Sequence, residues 1–356
     1  MTTFYILLFF ILLSSFSRIN KSGWAFFLFF LFWFVLNFRG INVGSDTIGY
    51  YTNDFKGEYS FDLLSSYSME WGFQLLSSII YKLKVNPRWC VFILSSITFF
   101  FLYISSKKYS KQIGLNPIVV LLMFYLLGFY SLAFNISRQI AAVSILLYAY
   151  TFLFENKSNH KYFILFVALA GAFHFSSYLF LFVYFLKWVD FSKIRFSLIA
   201  CGAIAFFTLV QLYKAPLLVW VTSVFSSLSM YLHLLVGTES SSFSIPGFII
   251  EFIQLLLSLF VYKAISKSPY KIYANIFLIS IFFEIFMTVF FGNIGRVRYG
   301  LEIFNVIAYA WCFSFWDQLN NVNKFIYILV ILINSYTMLS SLAGGTYDII
   351  PYYMTL

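Results

Sequence analysis

The sequence predicts an all-α polytopic integral membrane protein with about 12 transmembrane helices. The 356 residues are 62% hydrophobic and only 10% charged, whereas a soluble protein of this length carries about 25% charged residues. Apolar runs of about 20 residues, long enough to cross a bilayer, recur from end to end. Lys and Arg concentrate in alternate connections between these runs. We therefore expect a single transmembrane domain over 1–356.

The predicted spans follow the apolar runs in chain order. The first run lacks the basic leading region of a secretory signal, so we expect it to remain as a helix. The spans are expected near residues 3–17, 23–38, 90–106, 116–134, 138–154, 161–173, 175–188, 196–213, 246–262, 272–291, 298–316 and 324–343.

Charge placement decides how the shorter segments are interpreted. The segment 70–84 is short and amphipathic; if it does not span and the N-terminus faces outward, every cytoplasmic connection carries Lys or Arg. We therefore expect an interfacial helix there, inside a long outer loop at 39–89. The same requirement, that cytoplasmic connections carry Lys or Arg, divides 161–188 into two short helices that meet near His174. It also predicts a second outer loop at 214–245.

The composition argues against several classes of function. The formal net charge of +10 follows the topology rule and does not indicate a nucleic-acid partner. The three cysteines, at positions 90, 201 and 312, stand alone in apolar runs without the spacing of a disulfide or a metal site. No Walker A loop, GxGxxG turn or DxD loop is present. We expect no cofactor and no metal site.

The first long outer segment carries several acidic residues. Asp54, Glu58 and Asp62 are expected to be solvated in the loop. Arg39 and Asp46 instead lie close to a helix end, beside small residues in the stretch RGINVGSDT. Further along, Glu70 opens the amphipathic segment EWGFQLL.

Three other outer joints place polar residues against apolar helices. The stretch NISRQ holds Arg138, and AGAFHFSS holds His174 at a tight turn; ionisable groups at membrane helices are costly and are usually functional. Asn135 and Gln139 flank Arg138 as supporting residues. In a third joint, GRVRYGLE, Arg298 and Glu302 have the spacing of an intrahelical ion pair, and Arg296 lies outside that pair.

Arginine at the outer lipid boundary suits one class of substrate. Its planar fork binds phosphate oxygens in pairs and stays charged at any physiological pH. Several arginines together match the diphosphate of a lipid-linked sugar, and an activated donor in the membrane would make a nucleotide motif unnecessary. We rank Arg138 first as a diphosphate ligand, then Arg39 and Arg296. Arg298 ranks last as a diphosphate ligand because it can pair with Glu302 instead.

Four sequence blocks, in this order, resemble the EpsG-type polysaccharide polymerases, which belong to the same functional class as the Wzy O-antigen polymerases. A later stretch, GRxRY, is similar to an arginine motif of the family. The blocks and this stretch are RGxxVGSDTxxY (Arg39 to Tyr50), EWGFQLL (Glu70 to Leu76), NISRQxxA (Asn135 to Ala142), AxxGAFHFSS (Ala168 to Ser177) and GRxRY (Gly295 to Tyr299).

The resemblance implies polymerisation on the outer face of a bacterial inner membrane. The substrate would be an oligosaccharide repeat unit linked to undecaprenyl diphosphate, and the lipid diphosphate would be the leaving group. The product would be O-antigen, capsule or exopolysaccharide. A chain-length regulator of the Wzz type would be a further partner, beside membrane lipid.

The acceptor hydroxyl needs a base near the arginines, and three residues qualify. Carboxylates beside arginines, such as Asp46 and Glu70, are weaker bases but good partners for sugar hydroxyls. An imidazole titrates close to the working pH, so we rank His174 first as the catalytic base.

Two other classes of function remain open at the level of sequence. An O-antigen ligase would share the outer diphosphate site and differ in its acceptor. A flippase or transporter would need basic residues along a cavity that reaches both leaflets, whereas mid-helix charges are few. Glu284 is the clearest of them, and Glu251 lies near a helix end.

Overall fold

The computed structural model describes most of the chain as helices. Asp54, Glu58, Asp62 and all but the last residue of the predicted loop 214–245 lie outside the described residues, so their expected placement stays a prediction. The residues that the structure describes are 2–16, 22–52, 70–154, 159–213, 245–266, 271–291, 296–314, 320–345, 349–350, 352 and 354.

The α-helices are numbered here in chain order. Among the described residues, 3₁₀ helices occur at Thr151–Leu153, Phe175–Lys187 and Phe191–Lys193. The α-helices are α1 (Thr2–Phe16), α2 (Ser22–Asn37), α3 (Thr47–Thr52), α4 (Trp71–Lys82), α5 (Arg88–Ile113), α6 (Pro117–Leu126), α7 (Phe129–Leu132), α8 (Ser137–Tyr150), α9 (His160–Phe173), α10 (Phe196–Leu212), α11 (Ile245–Ile265), α12 (Lys271–Phe291), α13 (Tyr299–Ser314) and α14 (Asn321–Ala343).

The helical class predicted from the sequence is confirmed for the described residues. Apart from one isolated antiparallel bridge between Arg39 and Met354, these residues form no β-pairing. Among them, Arg88–Ile113 and Lys324–Ala343 are long and apolar enough to cross a membrane, and several further apolar helices are shorter. Large apolar side chains such as Phe9 (62% exposed) and Phe100 (58%) point outward, as expected of helices that face lipid.

The chain forms two compact units. The first contains residues 1–184, 309–316 and 331–356, and the second contains 185–308 and 317–330. In the second unit, α12 packs against α10 and α11, and the Asn275 side chain donates to the carbonyl oxygens of Leu186 (3.1 Å) and Val189 (2.6 Å).

Helix α8 lies at the centre of the first unit, between α5 and α9. Every residue of α8 is buried except Arg138 and Tyr148, as expected for a helix with apolar or small side chains all round. Small residues such as Ala141 and Ser144 allow its neighbours to approach closely. Arg138 is thus the partly exposed residue in the first turn of a largely buried helix.

The chain enters α8 through a compact joint. Helix α6 ends at Leu126, and Gly128, two residues further on, has a φ of 81°, which favours glycine. The short α7 and the turn at Asn135–Ile136 then lead into Ser137, whose hydroxyl donates to the Ala133 carbonyl oxygen at 2.8 Å. This joint fixes where the first turn of α8 begins.

Candidate active site

Helix α4 carries Glu70 to the end of α9. Glu70 directly precedes the first residue of α4, and α4 packs against α9. A Cβ at Gly72 would lie 2.7 Å from the Ala172 carbonyl oxygen, so the two helices touch at a distance that a larger residue would not allow. Two residues beyond Ala172, the backbone of His174 is extended (φ −155°, ψ 114°) and the α-helix ends. Glu70 and His174 therefore meet at the same end of α9.

The Glu70 carboxylate joins Arg138 to His174. Its Oε2 accepts a hydrogen bond from a terminal guanidinium nitrogen of Arg138 at 2.7 Å. Its Oε1 lies 2.9 Å from His174 Nδ1 and also accepts from the backbone N–H of Phe175 at 3.3 Å. The Arg138, Glu70 and His174 side chains are 26%, 14% and 29% exposed, so the group is partly open to a ligand. We call these three residues the relay.

The state of the Glu70 carboxyl decides which nitrogen of His174 carries its proton. Burial alone would raise the pKa of Glu70, but the hydrogen bond from His174 and the charge of Arg138 outweigh it and lower the pKa to about 2. An ionised carboxylate can only accept, so His174 Nδ1 must be the donor. In the neutral imidazole, Nε2 then holds the lone pair that can take up a proton.

Two aromatic residues hold Arg138 in place. The guanidinium carbon lies 4.6 Å from the centre of the Phe73 ring, a cation–π contact. The Tyr50 hydroxyl accepts from the backbone N–H of Arg138 at 3.5 Å, and the Tyr50 and Phe73 rings pack edge to face at 5.9 Å. Burial raises the pKa of Tyr50, so this hydroxyl stays neutral.

Arg39 is buried directly behind the start of α8. It is 2% exposed, and its terminal nitrogens donate to the Leu36 carbonyl oxygen at 3.1 Å and to Ser137 Oγ at 3.3 Å. Its guanidinium also lies 5.2 Å from the centre of the Phe134 ring. Arg39 therefore contacts the residue that precedes Arg138 and does not itself line an open surface.

The turn before α3 is fixed to the same joint. The Ser45 hydroxyl lies 3.3 Å from Asp46 Oδ1 and 3.2 Å from Asn135 Oδ1. Thr47 Oγ1 donates to the Phe134 carbonyl oxygen at 3.1 Å. Gly44 has a φ of 94°, and a Cβ there would collide with the same carbonyl. Asp46 and Asn135 are thus linked through one hydroxyl.

The structure brings together only part of the set predicted from the sequence. Glu70 is in direct contact with both Arg138 and His174, and Gln139 is buried in α8 beside Arg138. Arg296, Arg298 and Glu302 belong to the second unit. There the Nε of Arg298, one residue before α13, lies 2.9 Å from the Glu302 carboxylate, so the two residues form the i, i+4 ion pair that their spacing indicated.

Sequence reasoning missed the aromatic residues of the site. Tyr50 and Phe73 support Arg138, and Trp71 and Phe175 each directly follow a member of the relay. For Trp71 and Phe175 the available signal was adjacency, since EWGF and HF place a ring directly after Glu70 and His174. Among the residues that the structure describes, no group of three His, Cys, Asp or Glu side chains could hold a metal ion.

The comparisons with known proteins give one family. The model of the EpsG family matches residues 23–354, nearly the whole chain. The comparisons with curated proteins and with solved structures gave no significant match. The family match includes every residue of the relay and confirms the resemblance seen in the sequence blocks. The chain is therefore a member of the EpsG family.

Proposed function

We propose that this protein polymerises oligosaccharide repeat units linked to undecaprenyl diphosphate, on the outer face of a bacterial inner membrane. Membership of the EpsG family supports a role of the polysaccharide polymerase type. The observation that carries the proposal is the relay, in which one carboxylate holds both an imidazole and a guanidinium. A base and a fixed cation side by side suit a sugar transfer with an anionic leaving group.

In the proposed reaction, His174 Nε2 takes the proton from a hydroxyl of the acceptor sugar. The hydroxyl oxygen forms a bond to the anomeric carbon of the donor as the bond from that carbon to the diphosphate oxygen breaks. Glu70 keeps the lone pair on Nε2 and stabilises the imidazolium that forms. The imidazolium then returns its proton to solvent or to the released diphosphate.

Arg138 is proposed to bind the diphosphate as negative charge develops on it. A guanidinium has five N–H donors, so it can hold the Glu70 carboxylate and phosphate oxygens together. Its position over the Phe73 ring and its bond to Glu70 fix the guanidinium before substrate arrives. A pre-oriented cation needs little reorganisation during the reaction.

The other predicted residues take roles that follow from their placement. Arg39 is proposed to act through Ser137 on the start of α8, because it is buried there. Asp46, linked through Ser45 to Asn135, is proposed to orient sugar hydroxyls. Arg296 and Arg298 remain proposed ligands of the diphosphate, and a chain-length regulator remains a proposed partner.

A reconstituted assay tests the proposal. The purified protein in lipid bilayers is given the lipid-linked repeat unit extracted from the producing cells, and the products are separated by size. We expect a ladder of polymers. Transfer to lipid A would indicate a ligase, and movement across the bilayer without new glycosidic bonds would indicate a flippase; either result would contradict the proposal.

A matched pair of variants connects this activity to the relay. His174→Gln should slow formation of the ladder by about 100-fold or more. His160→Gln should leave it unchanged, because His160 begins α9 at its other end and its ring contacts Tyr184 at 5.3 Å. Equal activity in the two variants would exclude His174 as the base.

A further inference from the structure

We propose that Trp71, Phe175 and Tyr178 form a binding platform for a pyranose ring of the acceptor glycan. This inference rests on the proposed function and adds the place where the sugar is held beside the relay. The three rings come from the start of α4 and from the 3₁₀ helix that follows His174. We call them the aromatic platform.

The aromatic platform is exposed but well fixed. Phe175 and Trp71 are 74% and 39% exposed. The Phe175 and Tyr178 rings meet edge to face at 5.6 Å, and Trp71 Nε1 donates to the Tyr178 hydroxyl at 3.4 Å. A Cβ at Gly171 would collide with the Tyr178 ring, so α9 approaches this ring closely. The rings are therefore held at fixed angles while keeping accessible surface.

The platform and the base share one carboxylate. The backbone N–H of Phe175 donates to Glu70 Oε1, the same oxygen that binds His174 Nδ1. Trp71 follows Glu70 directly in the chain. A sugar that rests on these rings would consequently have its edge near His174, where its hydroxyl could give up a proton.

A pyranose matches this surface chemically. One face of the ring presents C–H bonds, which pack against the electron-rich face of an aromatic ring, while its hydroxyls project from the rim. The polar edges of Trp71 and Tyr178 are already joined to each other, which leaves flat apolar surface for the ligand. Aromatic walls combined with a few polar groups are typical of small-ligand sites.

The setting favours a sugar over a lipid chain as the occupant. Exposed rings such as Phe9 and Phe100 lie on helix flanks among apolar neighbours. The aromatic platform instead adjoins Glu70, which is ionised and is bound to Arg138. Placing an acyl chain over charged groups would desolvate them without replacing their hydrogen bonds, whereas sugar hydroxyls can replace those bonds.

Substitutions at Phe175 separate these two occupants. Phe175→Leu keeps apolar bulk but removes the flat ring, and Phe175→Trp keeps a flat ring. We expect the Leu variant to raise the KM for the lipid-linked repeat unit about two- to tenfold with little change in kcat, and the Trp variant to stay near wild type. Phe9→Leu, a matched change on α1, should leave KM unchanged.

A binding measurement completes the test. Native mass spectrometry compares binding of the lipid-linked repeat unit with binding of undecaprenyl diphosphate that carries no sugar. Phe175→Leu should weaken the first about two- to tenfold and leave the second unchanged. Equal weakening of both, or wild-type binding of both, would overturn the platform.

The test also separates failure of the platform from failure of the proposed function. Suppose that wild-type protein forms no polymer but binds the sugar-bearing carrier more tightly than the sugar-free carrier, and that Phe175→Leu loses this preference. The platform then stands, and the polymerase assignment falls. If Phe175→Leu lowers membrane abundance, two variants on α4 replace it. Trp71→Leu removes the flat ring, and Trp71→Phe keeps one. Wild-type affinity in Trp71→Leu would then overturn the proposal.

Discussion

Glu70 holds three donors around its carboxylate, and each has a separate consequence. His174 Nδ1 and the Phe175 N–H bind one oxygen, and Arg138 binds the other. The contact with His174 fixes its tautomer, and the contact with Arg138 fixes the guanidinium. One residue therefore orients the proposed base, the proposed diphosphate ligand and the backbone under the aromatic platform.

The lowered pKa of Glu70 makes stability depend on pH. Its pKa falls from 4.5 to about 2 on folding, so the ionised carboxylate contributes stability above pH about 4.5 that is lost as pH falls toward 2. A shift of this size corresponds to a free energy on the order of 3 kcal/mol. Glu70→Gln should melt at a lower temperature than wild type near pH 7, and the difference should shrink in acid. A difference that does not change with pH would contradict the assignment.

Arg138→Lys tests the fork of the guanidinium as distinct from its charge. Lysine keeps the positive charge but cannot bind Glu70 and phosphate oxygens in the same planar arrangement. Losing a charge-assisted contact costs about 1.5–3 kcal/mol, or about ten- to hundredfold in polymerisation rate. The control is Arg88→Lys at the start of α5, which should retain activity. Full activity in Arg138→Lys at normal abundance would rule out fork-like binding.

At the scale of helices, the packing of α4 on α9 creates the relay. Glu70 and His174 are separated by 104 positions in the chain, and the close approach at Gly72 and Ala172 brings their helix ends together. Hydropathy identifies 70–84 as amphipathic but does not show which helix its apolar face contacts. The site therefore depends on a contact between two small residues.

Gly72→Ala tests this contact. The added Cβ would lie 2.7 Å from the Ala172 backbone oxygen, so α4 must shift away from α9 and separate Glu70 from His174. A misplacement of this kind costs about 100-fold in rate, so polymerisation should fall by that order while membrane abundance changes little. Gly202→Ala, where nothing lies within 4 Å of the new Cβ, is the control. Wild-type polymerisation by Gly72→Ala would show that the spacing is unimportant.

Sequence reasoning reached the residues of the relay but not their arrangement. Glu70 and His174 were expected as alternative bases, and the structure joins them in one hydrogen bond. Arg39 was expected beside Arg138 as a ligand, yet it is buried against Ser137, 98 positions away. Helix periodicity and charge identify candidates, whereas contacts between distant segments depend on packing that no local pattern contains.

At the scale of the whole molecule, the positions of the loops relative to the membrane decide where the reaction occurs. The charge pattern predicts an outer location for the joints that carry Glu70, Arg138 and His174. A reporter enzyme fused after Lys111 should indicate the cytoplasm, and one fused near Glu58 should indicate the outer side. A cytoplasmic signal at Glu58 would contradict both the proposed topology and a site that meets flipped substrate.

The pH–rate profile of polymer formation, measured for wild type and His174→Gln, tests the central claim most directly. Glu70 does not titrate near neutrality because its pKa is about 2, so an acid limb near neutrality would come from another group. We predict that wild type shows this limb, because protonation of Nε2 removes the lone pair that the reaction needs. His174→Gln should be slower by about 100-fold or more and should lack that limb. A His174→Gln protein that keeps the wild-type rate and its acid limb would show that the relay does not perform the chemistry.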